Sequence, residues 1–537
     1  MQNLDRLIDR MGDVNPQLFR EVKERWTLRN LAITGSASLL VQFFTLLCFW
    51  SQIPVPSEFK NNIYSRYCNF TDRYSDLCKT DGFGNFAINW QHWWTDISNT
   101  LNWIIPLALI LGTVYMLVAD LAQEEKRGTL NFIRLSPQSP QKIGIGKILG
   151  VPSLVYLAIL LALPFQWLAS LQAGASLPLI VIWGGTIAAM WWLFASASVL
   201  YVLLGGSQAI LTTLIVSYPV CLPLFAINYY ASETINRAEW LGRDPSPLSW
   251  FFIPLSNDAI RLYLFGIGCC LVASYWLWQA LERRYLNPTA TILKKSQSYV
   301  ANLCLQIWVL GFALPALNYS SWSRESALTS LAVCDFLALS LLIPILLPSK
   351  QALLDWSRYR RERVTDQKPA VWRRELYQDL ITNDKSPAVM AIAINVGMAI
   401  GMWLPLMLVA ANHHHPWLRW SAGLGFALIL ILIYTTIAHL GLFLNLKKRN
   451  LWIAGGVGVS TVLPIVFAAM LSGGSTPTGL AAIMLLFSPF LGLGLIQLSA
   501  TSILVTFCAQ LALLGGLTKQ LQRKLQASGE SQTKAVG

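Results

Sequence analysis

The chain has 537 residues, of which 54% are hydrophobic and only 12% charged, with a formal net charge of +13 and a mean hydropathy of +0.49. A soluble domain carries about 25% charged residues, so the composition excludes a soluble enzyme or binding module. The positive charge does not mark a nucleic-acid binder either. With the topology below, about three-quarters of the Lys and Arg fall on one side of a membrane, as the positive-inside rule expects.

Residues 1–30 are charged throughout, with Arg6, Arg10, Arg20, Lys23, Arg25 and Arg29. The first apolar run, near 31–51, is too long and too late for a signal core. It predicts a first span with a cytoplasmic N-terminus and no cleaved leader. Just before it, Phe19, Val22 and Trp26 recur at helical spacing after Pro16. They predict an amphipathic helix lying in the interface, its basic side toward the headgroups.

The polar loop 51–98 follows, containing Cys68 and Cys78. Outside the cell an oxidising compartment would permit a disulfide. The alternative is two free thiols in a loop, because sequence does not fix pairing. Trp90, Trp93 and Trp94 near the loop's end read as an interfacial anchor. Further runs near 99–119, 148–171, 177–204, 207–228 and 259–281 predict five more spans. Runs near 302–317, 327–347, 387–410, 420–444, 452–471 and 495–517 bring the total to about twelve. Apolar stretches broken by Ser488-Pro489 and by Phe251–Ser256 predict short re-entrant pieces before the last and sixth spans.

The most informative stretch is 120–152, a polar segment between two apolar runs. It presents Glu124, Glu125 and Arg127, then Gly128-Thr129-Leu130, Ser136-Pro137 and Gly146-Lys147. Gly128 permits a sharp turn. Thr129 is placed to cap a short helix, Pro137 stops that helix, and Lys142 and Lys147 mark re-entry at the headgroups. The residues in this order resemble the cytoplasmic connection between the second and third spans of type-2 ATP-binding-cassette (ABC) exporter permeases.

The resemblance implies an all-α polytopic membrane fold built from six-span units with re-entrant external helices. It implies an interfacial elbow helix at Pro16, Phe19, Arg20, Glu21 and Trp26. Glu124, Glu125, Arg127, Gly128, Thr129, Leu130 and Pro137 would contact an ABC ATPase subunit that binds and hydrolyses the ATP. The expected place is the bacterial plasma membrane, with lipid as the other partner. Two registers remain open for a tandem pair. Six spans plus six gives units 31–290 and 291–537. A second elbow-like stretch, Lys368–Glu375, would instead place the boundary near 368.

No ATP site of the chain's own is expected. Gly146-Lys147 is followed by Ile148, and Gln141 stands where a phosphate loop needs Gly. Ser472-Gly473-Gly474-Ser475 reads as a turn, and His413-His414-His415 as a solvated loop rather than a metal site. No catalytic residue, metal or bound cofactor is assigned. Asp335 is the clearest ionisable group within a span; it reads as a satisfied polar contact, with a functional role as the alternative. Two other functions remain open: an ion-coupled secondary transporter, which would need more such groups, and a membrane anchor or assembly factor that transports nothing.

Overall fold

A computed structural model describes residues 15–54, 66–72, 75–78, 86–134, 136–221, 224, 248–255, 258–318, 321–364, 369–411, 417–444 and 499–530, with scattered positions in 453–483. His413–His415, Ser472–Ser475, the break at Ser488-Pro489 and nearly half of the run 452–471 lie outside the described residues.

The chain is a helical, multi-pass membrane protein. Among the described residues, eight helices are long and apolar enough to cross a bilayer, or nine if the bent pair Ser330–Leu346 and Lys350–Arg360 is one span. Their outer faces carry large apolar side chains, such as Leu39, Phe43 and Phe44 on the first and Leu160 and Leu161 on the third. In water such a surface would drive aggregation; in a bilayer it is the lipid-facing side.

The chain divides into two compact units, residues 1–247 with 254–288, and residues 248–253 with 289–537. The first unit opens with α1 (Pro16–Arg25), whose N-cap Asn15 accepts from Gln17 and Leu18 N–H. Then come α2 (Leu28–Trp50) and a hairpin of β1 (Phe70–Asp72) and β2 (Ser75–Cys78). The helix α3 (Trp90–Arg127) follows, then α4 (Thr129–Arg134), α5 (Pro140–Gly150), α6 (Ser153–Gln172) and α7 (Leu177–Leu203). A shorter apolar helix α8 (Ala209–Cys221) precedes α9 (Ala259–Leu286). The core forms where α3 packs on α6 and α7, and α7 on α9. Ile110, Val114, Leu117 and Val118 of α3 are wholly enclosed there.

Three sequence expectations are corrected in this unit. The span expected near 148–171 is present but starts later, at Ser153: residues up to Gly150 belong to the separate helix α5, and Pro152, with no N–H to continue a helix, stands between the two. Trp93 is no lipid anchor. It is 2% exposed, donates its indole N–H to Phe49 O at 2.9 Å, and is ringed edge-on by Trp50, Trp90 and Trp94. The stretch before the sixth span is not a re-entrant helix. Ser249–Trp250 and Ile253–Pro254 pair as a tight two-stranded turn, with Phe251 at φ 51°.

The second unit contains α10 (Lys295–Ala316), α11 (Ser321–Leu346), α12 (Lys350–Val364), α13 (Pro369–Thr382), α14 (Val389–Ala411), α15 (Trp417–Gly441) and α16 (Ala500–Glu530). Phe426, Ile431 and Tyr434 of α15 sit in its apolar core with Ala391 and Ile392 of α14. The last helix runs beyond the predicted span to Glu530, so Lys519, Arg523 and Lys524 ride on its final turns.

Near the start of α3, Cys68 is disulfide-bonded, while Cys48, Cys221, Cys269, Cys270, Cys304, Cys334 and Cys508 form no disulfide. The side chain of Cys78 lies outside the described residues. A maleimide should label Cys68 in the intact protein only after reduction, and without reductant in a Cys78→Ser variant. Reagent uptake at Cys68 in unreduced wild-type protein would remove the cross-link.

Candidate functional site

Two glycines one helical turn apart set the site. Gly146 and Gly150 lie on one face of α5, and α1 packs against that face. A Cβ at Gly150 would sit 2.5 Å from Glu21 Cβ, and one at Gly146 would sit 2.9 Å from both Asn15 Oδ1 and Gln17 Cβ. Small residues at this spacing let two helix backbones approach closely. Asn15 Nδ2 also donates to Lys142 O at 2.7 Å, fixing the start of α1 on α5.

The close approach brings charges together. Lys147 Nζ, on a side chain only 3% exposed, lies 2.6 Å from Glu21 Oε1, 2.8 Å from Glu124 Oε1 and 2.9 Å from Asp120 Oδ2. Arg25 bridges Glu21 and Asp120, the latter at 2.6 Å, and Arg20 reaches Glu124 at 2.7 Å. Gln17 adds a donor to Glu21 at 2.8 Å. Three carboxylates therefore meet three cations. Asp120 and Glu124 are one turn apart on α3, so both face the same neighbour. The oxygens of Glu21, Asp120 and Glu124 lie within 4.8 Å of one another, as a metal cage would have them; here the cation they surround is the Lys147 ammonium.

This overturns two expectations. Lys147 does not snorkel to the headgroups but is the buried centre of the cluster. The helix α1 does not turn an apolar face inward: Gln17 and Glu21 are buried with Val22, while Phe19 is half-buried under Lys23 and Arg20 is exposed. Trp26 lies beyond the helix, as its C-cap, and Pro16 is its exposed first residue.

The cluster closes the root of the segment 128–139. Gly128, at φ 75°, ends α3 with its N–H on the carbonyls of Glu124 and Glu125. Thr129 does not cap α4 as expected; its hydroxyl donates backward to Glu124 O at 3.1 Å, sealing the end of α3. Leu130 is buried and pins α4 to the core. The segment turns through 136–139, and Ser139 caps α5 by accepting from Lys142 N–H, with Pro140 in the first helical position. Lys147 then ties the outgoing helix back to the incoming one. On the far side, Gln141 donates to Glu282 Oε1 at 2.5 Å, Arg134 lies over the Tyr285 ring, and Gly144 abuts Trp278 of α9. The tip stays open, with Glu125, Arg127 and Pro137 all exposed.

Sequence reasoning named Arg20, Glu21 and Glu124 but missed Asn15, Gln17, Arg25, Asp120, Gly146, Lys147 and Gly150 as their partners. The available signals were the Gly146/Gly150 spacing and the Asp120/Glu124 pair. Comparison with family models, with curated proteins and with solved structures finds no match.

Burial opposes the charge on Glu21, yet Lys147 and then Arg25 outweigh it and hold the carboxyl below its ordinary 4.5. Burial likewise opposes the charge on Lys147, and Asp120, Glu21 and Glu124 outweigh it, holding the ammonium above its ordinary 10.5. Glu21 thus contributes stability that is present above pH 4.5 and lost as pH falls through its lowered folded value. Lys147 contributes stability that is present below pH 10.5 and lost only as pH rises through its raised folded value. The melting temperature of the purified chain should therefore fall in acid, and Glu21→Gln should blunt that fall. An identical acid limb in the variant would show that Glu21 is not the linked group. Lys147→Met, which leaves three clustered carboxylates to two arginines, should cost about 3–5 kcal/mol. Gly150→Ala should also destabilise, although alanine favours a helix by about 1 kcal/mol. A rise in melting temperature on Gly150→Ala would refute the close packing.

Proposed function

We propose that the chain is the transmembrane permease subunit of an ABC exporter. It carries a substrate across the membrane while a separate ATPase subunit hydrolyses ATP. One observation carries the reading: Glu125 and Arg127 at the end of α3 and Pro137 within the segment 128–139 are exposed, while the root of that segment is clamped by the buried cluster around Lys147. A push on a loosely held loop is absorbed locally. A push on this segment reaches α1, α3 and α5 together, because the same ammonium holds all three. The order of residues from Glu124 to Lys147 adds the family resemblance.

In this reading the segment and α1 face the cytoplasm of a bacterial cell, and the chain supplies about twelve spans as two six-span units in tandem. ATP binds the partner alone. The clamp also divides the work between neighbouring carboxylates. Glu124 is spent on Lys147 and Arg20, which leaves Glu125 to meet a basic cleft on the ATPase.

Glu125→Ala should therefore weaken association with the ATPase by about 1–3 kcal/mol and leave the melting temperature of the chain unchanged. Glu124→Ala should lower both. The measurements are co-purification with an ABC ATPase subunit, transport-coupled ATP hydrolysis, and thermal unfolding of the chain alone. Full association and full coupled hydrolysis in the Glu125→Ala/Arg127→Ala double variant would end the docking role of the tip. Failure to find any ATPase partner would end the exporter reading itself.

A further inference from the structure

The second unit contains a row of buried polar side chains along one face of α10. Lys295, Ser298, Asn302 and Gln306 follow one another at helical spacing, and each is 2% exposed or less. The row ends at Asp335 of α11, which is 3% exposed. Gln306 Nε2 donates to Asp335 Oδ1 at 2.7 Å, and Trp403 Nε1 of α14 donates to Oδ2 at 2.8 Å.

The direction of these bonds is fixed from the backbone. Asn302 Nδ2 donates to the carbonyl of Asn395, at 2.8 Å, and a carbonyl can only accept. Asn302 therefore turns its oxygen to Gln306, whose Nε2 approaches it at 3.3 Å. Gln306 must then present the same nitrogen to Asp335. An indole has only a donor to offer, so both contacts on the carboxyl are donors. Asn395 is locked in the same manner: its Nδ2 bonds Ala391 O and Ser298 Oγ, which leaves its own buried oxygen with no partner. The row has more acceptors than donors, and it ends in a carboxylate.

No cation balances that carboxylate among the described residues. On α10, Lys295 is committed to Leu380 O, Ser386 Oγ and Pro387 O, and its residue lies about 16 Å along the helix from Gln306. On α11 itself, Arg324 bonds Leu317 O and is about 16 Å from Asp335 along the helix. The helix α14 has no titratable residue. On α15, Tyr434 is buried, and His439 has both ring nitrogens engaged, Nδ1 with Thr435 O and Nε2 with the N–H of Ala388. An uncompensated charge at membrane depth is costly; two neutral donors offset only part of that cost.

We propose that Asp335 is a proton-binding carboxyl, taking up and releasing a proton within the second unit. A hydronium gives its proton to a carboxyl oxygen, an O–H bond forms, a water is released, and the site passes from −1 to neutral. The new O–H turns one acceptor oxygen into a donor, which weakens its contact with the N–H of Gln306 or of Trp403. Protonation is thereby linked to how α10, α11 and α14 pack. The inference stands on this row alone and does not depend on an ATPase partner.

The test is infrared spectroscopy of the full chain in lipid nanodiscs across a pH titration. The wild type should show a protonated-carboxyl C=O stretch that fades reversibly as pH rises, and Asp335→Asn should lack it. Trp403→Phe removes a donor that favours the charged form, so the midpoint of fading should move to higher pH. That variant carries the assignment if Asp335→Asn fails to reach the membrane. The proposal is overturned by any of three results: no titrating band in the wild type, the same band in Asp335→Asn, or an unmoved midpoint in Trp403→Phe.

Discussion

A single ammonium group, that of Lys147, organises the first unit. Taken from water it would be costly to bury, and so would each of the three carboxylates around it. Together they are tolerable only because Arg20 and Arg25 bring the count to three charges of each sign and Gln17 supplies a further donor. The arrangement is therefore cooperative. Removing one member leaves an excess charge on the rest, so α1, α3 and α5 must dock together or not at all. The close approach at Gly146 and Gly150 makes this possible, since a side chain at either position would hold α1 off and let water between the charges.

The two units handle buried polarity in different ways. The first compensates charge with charge, beside its membrane-spanning helices. Along α10 the second answers a buried Lys295 with carbonyls and a hydroxyl and continues the row with neutral amides, which lower the cost of burial without adding charge, and it leaves one carboxylate at the end of the row. A cluster balanced by three ion pairs resists change in protonation at physiological pH. A lone carboxylate held by two neutral donors has no such reserve. Rigidity is what the proposed transmission of force through the segment 128–139 requires, and a labile charge is what the proposed proton uptake requires.

Much of the fold was legible in the sequence because long apolar runs have few interpretations. Part of the punctuation of 120–152 was legible as well, since Gly128 does take the left-handed conformation and the short helix after it does end before Pro137. The partners were not legible. Lys147 stands at the start of an apolar run, where a lysine ordinarily reaches for headgroups, and nothing local shows that α1 covers it. Glu21 was misjudged because amphipathicity was read from Phe19, Val22 and Trp26, while the buried face is set by the glycine groove. The run Phe251–Ser256 is apolar enough for a helix, yet its neighbours pair as strands. Asp335 stood out because a lone carboxylate in an apolar run is conspicuous, but the direction of its hydrogen bonds depends on the Asn395 carbonyl, about 60 residues away in sequence.

The helix Trp90–Arg127 has 38 residues, which makes it about 57 Å long. The hydrocarbon layer is about 30 Å thick, so nearly half of this rod stands outside it. Asp120 and Glu124 lie at the protruding end, next to the Gly128 bend. A rod pivoting within the bilayer converts a small angle into a large displacement: a tilt of about 10° moves the end of a ~27 Å arm by about 5 Å. That distance is close to one helical turn, the natural step by which packed helices slip past each other. Any rotation at that end would be geared by this lever, and the Lys147 cluster, which ties α3 to α1 and α5, is the joint that keeps the lever from turning in its socket.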